Sequence, residues 1–260
     1  RSSDLKKVKD SKTPVVVHIN TLKGKGYAPA EQNKEAWHYC APFDIETGKS
    51  LFVPTGEDYS SVTRDYLLEK MKKDPRVVAI TSATPTVMGF TEDKRKEAGS
   101  QFIDVGIAEE TAVAVASGIA ANGGKPVYGV YSTFVQRTFD QISQDLCINN
   151  NPATIVTFWG SVYGMNDVTH LGLQDIPMLS NIPNLVYLAP TTKEEYLAML
   201  DWSIDQNEHP VAIKLPGGEL VSDGKTVTKD FSKLNQYEVT QQGSKAAIIG
   251  LGTFYGLRSE

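Results

Sequence analysis

Short, near-continuous apolar runs alternate with helix-length segments between residues 59 and 215, and few folds can satisfy that rhythm. Runs such as Val77-Val78-Ala79-Ile80 and Val211-Ala212-Ile213 offer no polar positions to face water, so both of their faces must be covered. Segment 59–74 has helical periodicity and ends at Asp74-Pro75, because proline disfavours helix in the residue before it. Strands follow at 77–81 and 102–105, then a small-residue helix at 109–122 closed by Gly123-Gly124, a left-handed cap signal. The rhythm continues with a strand at 127–131, a helix at 135–149, strands at 154–158 and 185–188, a helix at 193–206 and a strand at 211–215. Alternation of this kind predicts an α/β fold: a doubly wound parallel sheet with helices on both faces. That complete domain is expected at 57–216.

The flanks read differently. Pro14-Val15-Val16-Val17-His18-Ile19-Asn20 is a β-branched run that predicts a buried strand, and about thirty residues of weak periodicity follow it, as in a functional or connecting loop. Residues 217–245 are polar and Gly-rich, as in a linker, and 246–252 predicts the first strand of another domain. The chain opens at Arg1 without an initiator Met, so incomplete domains at 1–56 and 246–260 and an excerpt of a longer enzyme are expected. Hydrophobic residues make up 40% of the 260, enough for a real core. A net charge of −5 argues against a nucleic-acid partner. No apolar run approaches the roughly 18 residues of a membrane helix, so no membrane partner is expected. Cys40 and Cys147 lie far apart without a CxxC pair, which argues against a disulfide framework or zinc site and suits a reducing cytoplasm.

Three segments carry candidate chemistry. Asp104-Val105-Gly106-Ile107-Ala108-Glu109-Glu110 places carboxylates where a strand passes into a helix, the sheet edge at which ligands collect in open α/β folds. The same two glutamates would also complement a helix dipole. Tyr131-Ser132-Thr133-Phe134-Val135-Gln136-Arg137 gathers a phenol, an aromatic face and a guanidinium after the next strand, a pattern that also suits an aromatic core plug beside a solvated Arg. His170 lies in the polar loop Asn166-Asp167-Val168-Thr169-His170-Leu171-Gly172, where an imidazole can act as acid, base or donor or merely decorate the surface. The three segments follow successive parallel strands and so converge on one edge. No GxGxxG after a strand, no Walker loop and no GxSxG elbow occurs, which argues against dinucleotide oxidoreductases, P-loop NTPases and α/β-hydrolases.

Those blocks, with Asp140-Gln141, resemble the pyrimidine-binding domain of the 1-deoxy-D-xylulose-5-phosphate synthases, in the transketolase family of thiamine-diphosphate enzymes. The run from Thr21-Leu22-Lys23-Gly24-Lys25-Gly26-Tyr27 to Glu31 is similar to the segment ending that family's first, diphosphate-binding domain. Trp37-His38, Thr169-His170 with Gly172, Ile182-Pro183-Asn184 and Ala189-Pro190 extend the match over nearly the whole chain. The resemblance implies decarboxylation of pyruvate and ligation of the two-carbon unit to an aldehyde, glyceraldehyde 3-phosphate in the family, within isoprenoid and thiamine biosynthesis. Glu109 would hydrogen-bond N1′ of the aminopyrimidine, favouring the tautomer whose 4′ nitrogen takes the thiazolium C2 proton. Phe134 would stack on that ring, Tyr27, Tyr131 and Arg137 match cofactor or active-site positions, and His38 and His170 match histidines near C2. The implied cofactors are thiamine diphosphate and Mg²⁺, the latter held in the first domain. No Gly-Asp-Gly…Asn motif occurs in this sequence, so no residue of it is assigned as a metal ligand. A cytoplasmic homodimer that needs the missing first domain completes the expectation.

The departures bear on the acceptor. Phe158-Trp159-Gly160-Ser161 stands where the family has Asp-Arg-Ala-Gly, and Leu215-Pro216-Gly217-Gly218 where it has Tyr-Pro-Arg-Gly. Both family arginines bind the acceptor's phosphate, and neither Trp nor Gly replaces a bidentate guanidinium. A transketolase-like paralogue or subunit using an unphosphorylated acceptor is therefore an alternative, and so is a non-catalytic doubly wound subunit.

Overall fold

The computed structural model describes residues 2–52, 56–161, 168–218 and 220–259. The chain forms two compact units, Arg1–Gly56 and Glu57–Glu260.

The smaller unit contains helices α1 (Ser2–Val8) and α2 (Ala28–Gln32). It packs an aromatic group, in which Trp37 lies edge-on to Tyr27 at 5.0 Å and to Phe43 at 4.7 Å. The buried strand expected at 14–20 does not form: no ladder is present there, and Val16 is 94% exposed. A β-branched run fits a pleated surface only when a neighbouring strand satisfies its amides, and the described part of this unit offers none.

In the larger unit, helix α3 (Tyr59–Lys73) starts with a reciprocal cap. Asp58 accepts from Ser61 N at 2.6 Å and Ser61 Oγ accepts from Asp58 N at 3.1 Å, satisfying amides that the helix itself cannot. Strands β1 (Val77–Thr81) and β2 (Phe102–Asp104) are joined through a 3₁₀ turn (Pro85–Met88) and helix α4 (Glu92–Ala98). Helix α4 has no apolar stripe to betray it in sequence: only Ala98 is buried, and Lys96–Glu92 and Lys94–Glu97 pairs line its surface. Helix α5 (Glu109–Ala121) ends where Gly123 turns left-handed (φ 81°) and Gly124 N returns to Ile119 O at 2.9 Å.

After β3 (Lys125–Tyr131) the helix expected at 135–149 is a composite. A 3₁₀ turn (Phe134–Thr138) passes through a short α6 (Phe139–Gln141) into a π-helical stretch (Ile142–Ile148). The widened turns expose the Asp145 carbonyl, which Ser117 Oγ caps at 2.7 Å and Asn149 Nδ2 at 3.1 Å. Strand β4 (Thr154–Phe158), helix α7 (Asp175–Leu179), strand β5 (Val186–Leu188), helix α8 (Lys193–Asp205) and strand β6 (Val211–Lys214) complete the domain. The strand expected at 246–252 is absent, with Ile249 96% exposed and unpaired to any sheet edge.

The sheet has six parallel strands in the order β2-β1-β3-β4-β6-β5. Side-chain alternation divides each strand between two cores. Val77, Ala79, Val127, Val156, Val211 and Ile213 pack with Leu67, Leu68, Met71 and Leu200 of α3 and α8. Ile80, Tyr128, Val130, Ile155 and Ala212 pack with Ala112, Val113 and Ala116 of α5 and with Ile142 and Leu146. Each fully buried aliphatic side chain contributes about 1.5–3 kcal/mol, and the small residues of α5 let that helix approach the sheet closely. The order reverses direction between β1 and β3, so a crevice is expected outside their carboxyl ends.

Two glycines of this domain separate packing from propensity. A Cβ at Gly129 of β3 would lie 2.1 Å from Met88 Cγ, inside the core, whereas one at Gly118 on the exposed face of α5 would meet nothing within 4 Å. Gly129→Ala should destabilise by about 1–3 kcal/mol through overpacking. Gly118→Ala should stabilise by about 0.5–1 kcal/mol through reduced unfolded-state entropy. Urea melts of the two variants check the opposite signs.

Candidate functional site

The carboxyl ends of β1 to β4 hold the polar side chains that the two cores exclude. Asp104, the last residue of β2, accepts from Ala83 N and from Gly106 N, both at 2.9 Å. It thereby ties the turn after β1 to the turn that leads into α5. Ala83 is held at φ 59° and Gly106 at φ 74°, conformations that a tied turn can sustain. The consequence is a fixed start for α5, with Glu109 as its first residue.

Burial distinguishes the two glutamates of that first turn. Glu110 is exposed, where it complements the helix dipole at little cost. Glu109 is only 2% exposed, and the dipole alone does not offset desolvation of a carboxylate. Arg137 supplies the rest: its Nη1 donates to Glu109 Oε1 at 3.0 Å and to Oε2 at 3.2 Å. The Arg137 side chain stays 55% exposed, and its guanidinium lies 5.9 Å from the centre of the Phe134 ring.

Tyr131, Phe134 and His170 form a group of edge-on rings, each pair 5.3 Å apart between centroids. All three are half-buried, and Tyr131 and Phe134 also pack against the two cores, one against each. His170 closes a short 3₁₀ turn (Val168–His170) whose Thr169 hydroxyl lies 2.8 Å from its Nδ1. Ser132 follows Tyr131 with its hydroxyl buried and without a partner among the described residues, and Thr133 Oγ1 is in the same position. Asn166 and Asp167, the start of the His170 motif, lie outside the described residues.

The structure therefore brings Glu109, Tyr131, Phe134, Arg137 and His170 to one sheet edge. Tyr27 and His38 belong to the smaller unit. There Tyr27 sits in the aromatic group and donates to Ile45 O at 3.2 Å, and the His38 Nδ1 contacts Lys23 Nζ. Among the described residues no three His, Cys, Asp or Glu side chains gather as a metal site. No described helix is long and apolar enough to cross a membrane.

Sequence reading missed a buried cluster beside this edge. Asp175, the first residue of α7, is fully buried and accepts through Oδ2 from Lys214 Nζ and, at 3.0 Å, from the Tyr187 hydroxyl. No single segment signals it, since Asp175 and Lys214 are 39 positions apart and the lysine reads as an ordinary polar end to the run Val211-Ala212-Ile213. A buried carboxyl-edge glutamate beside half-buried rings can take a flat aromatic heterocycle, with the carboxylate facing a ring nitrogen and a side-chain ring against its face.

Comparison with known proteins agrees with that chemistry. Residues 56–221 match the family model described as "Transketolase, pyrimidine binding domain". A 1-deoxy-D-xylulose-5-phosphate synthase from Natranaerobius thermophilus is 40% identical over 95% of this chain and 39% of its own length. The Clostridium acetobutylicum enzyme of that name is 37% identical over 96% of this chain and 40% of its own. The chain thus spans about two fifths of the length of these curated relatives. Among solved structures, a transketolase from Leishmania mexicana superposes with a TM-score of 0.57 at 16% identity, over 67% of this chain and 28% of its own. A split-gene transketolase, described as an inactive β4 tetramer, gives 0.54 at 22% identity, over 66% of this chain and 57% of its own. The likeness to the solved transketolases is one of fold, whereas the family match runs through the sheet edge itself, and the chain belongs to the transketolase pyrimidine-binding domain family.

Proposed function

We propose that the chain is the pyrimidine-binding part of a thiamine-diphosphate-dependent carboligase of the 1-deoxy-D-xylulose-5-phosphate synthase type. Such an enzyme decarboxylates pyruvate and transfers the two-carbon unit to an aldehyde, with glyceraldehyde 3-phosphate as acceptor and 1-deoxy-D-xylulose 5-phosphate as product. The observation that carries this reading is the buried Glu109 carboxylate at the start of α5, with half-buried Phe134 and Tyr131 beside it. The group set suits an aminopyrimidine: a carboxylate for a ring nitrogen, an aromatic face for stacking, and buried hydroxyls of Ser132 and Thr133 without partners among the described residues. Identity of 40% along nearly the whole chain supports the same reading.

When bound, thiamine diphosphate supplies the carbanion chemistry that no protein side chain provides. The residues of this chain hold and orient it. Glu109 would hold a proton at the ring nitrogen it faces, Phe134 and Tyr131 would fix the ring plane, and His170 would donate to or accept from an oxygen of the reacting carbonyl. His38 and Tyr27, Mg²⁺ and the diphosphate site belong to the part that a first domain completes. A cytoplasmic homodimer follows from the same family reading.

A second reading concerns the acceptor. Trp159 ends the β4 edge at φ 59°, Gly217 and Gly218 follow β6, and the nearby cation Lys214 is committed to Asp175. No guanidinium stands at either position, which favours an unphosphorylated aldehyde. Turnover with glyceraldehyde is then expected to match or exceed turnover with glyceraldehyde 3-phosphate. A strong preference for the phosphorylated aldehyde would sink that reading and leave the carboligase reading intact.

Supplied with the amino-terminal half of a curated relative, Mg²⁺ and thiamine diphosphate, the chain is expected to bind cofactor by calorimetry and to exchange the C2 proton. Glu109→Gln should slow that exchange by about 10²–10⁴-fold, the span of a lost general acid–base contribution. Unchanged exchange in this variant would remove Glu109 from its assigned role, and absence of cofactor binding by the wild type would remove the reading as a whole. A double-mutant cycle on Glu109→Gln and Arg137→Met should give a coupling of about 1 kcal/mol by urea denaturation, at the upper end for a partly exposed pair because one partner is buried.

A further inference from the structure

We propose that Lys214 is a positioning residue for His170, acting through its buried ion pair with Asp175. Lys214 and Asp175 are among the most enclosed charges of the domain, with side chains 11% and 0% exposed. Neither belongs to the group of rings or touches Glu109. Asp175 Oδ2 receives two donors from neighbouring strands, Lys214 at the end of β6 and the Tyr187 hydroxyl of β5, while Oδ1 has no partner among the described residues. Burial opposes the charge on Lys214 and pushes its amine down, and the pairing with Asp175 works against that shift. Burial and the Asp175 charge both push the Tyr187 phenol up, so it stays a donor.

A buried pair of this kind adds little net stability compared with apolar side chains of similar volume, because desolvation consumes most of the attraction. What it does supply here is a defined position. Three contacts among those of the described residues bear on the segment from His170 to Asp175. His170 lies edge-on to Tyr131 and Phe134. Gly172 is wedged between strand ends, since a Cβ there would lie 2.5 Å from Ser132 Oγ and 2.6 Å from Gly160 Cα. Asp175 is clamped by Lys214, whose ammonium in turn passes so close to Gly160 that a Cβ on that glycine would lie 2.6 Å from Nζ. The chain of contacts therefore runs from β6 through the ion pair to α7, and back along five residues of backbone to the imidazole. Removing the Lys214 charge leaves a buried carboxylate with one neutral donor. Such a group must find water, and the movement that admits water pulls α7 and the His170 segment away from the rings.

The chain has four histidines, so selective ¹³C labelling of imidazoles gives a short, assignable set of signals. In the wild type the His170 ring protons are expected to be displaced by the Tyr131 and Phe134 ring currents, and those of exposed His18 are not. Lys214→Met should lose that displacement for His170 while the His18 and His38 signals stay in place, and Lys214→Arg, which keeps the cation, should retain it. The pair Lys214→Met with Asp175→Leu leaves neither charge of the pair buried and so keeps the fold should the single variant lose it; without the ion pair nothing fixes the start of α7 to the end of β6, so it too should lose the His170 displacement. Unchanged His170 signals in a folded Lys214→Met protein, or in the double variant, would overturn the proposal. The significance of His170 for the reacting carbonyl rests on the carboligase reading. The imidazole spectrum needs neither cofactor nor substrate, so failure of one leaves the other standing.

Discussion

A parallel sheet buried on both faces tolerates a polar side chain along its strands only where a partner satisfies it, as Ser203 does for Thr154 and Ser82 for Tyr128, and that constraint organises the larger unit. Each strand of the order β2-β1-β3-β4-β6-β5 is committed to two apolar layers. The ladder consumes the backbone groups, so an uncompensated side-chain donor or acceptor inside either layer would cost the full desolvation of that group. Polar chemistry is consequently displaced to the strand ends. At the carboxyl ends it meets the start of α5 and the reversal of strand order between β1 and β3, and that coincidence puts Asp104, Glu109, Tyr131 and His170 within one region of the fold.

Glu109 illustrates how the edge tolerates a buried charge. Position at the helix start supplies partial positive charge from unsatisfied amides, and Arg137 adds a formal one at 3.0 Å. The Asp104 clamp on Ala83 and Gly106 is what makes the first residue of α5 a fixed point rather than a fraying end. Two side chains, Arg137 and Asp104, and the amides of the helix start together hold one carboxylate in place. Such density of compensation is characteristic of sites where a charge is retained for its chemistry.

Much of the domain was legible because period and punctuation agree. The strands of the sheet and the helices at 59–73, 109–121 and 193–205 follow from apolar runs, caps and glycines whose local preference matches the fold. The convergence of Glu109, Tyr131, Phe134, Arg137 and His170 on one edge follows from parallel topology, which puts the residues after each strand at the same end of the sheet. What stayed hidden has physical reasons. Helix α4 is held by surface ion pairs and carries no apolar stripe, and the π-helical stretch Ile142–Ile148 keeps the composition of an ordinary helix while its carbonyls are capped from Ser117 and Asn149. The runs at 14–20 and 246–252 have strand composition without a ladder partner, and composition cannot supply a neighbour. The Lys214–Asp175 pair joins residues that are far apart in sequence, and no single segment announces it.

The two ion pairs of this edge differ in a way that matters for function. Arg137 keeps 55% of its side chain in solvent, so it can leave Glu109 without stranding a buried cation. Its departure would expose a carboxylate to whatever replaces it, which is the behaviour required of a group that takes a ligand. Lys214 has no such freedom: with 11% exposure against a fully buried partner, separation would strand both charges in the apolar layers. One pair is thus open to exchange and the other is fixed. Under the proposed carboligase reading, the first pair would yield to a cofactor ring while the second keeps the imidazole in position. The 3₁₀ turn that follows β3 carries the cation of the first pair, and the last residue of β6 that of the second.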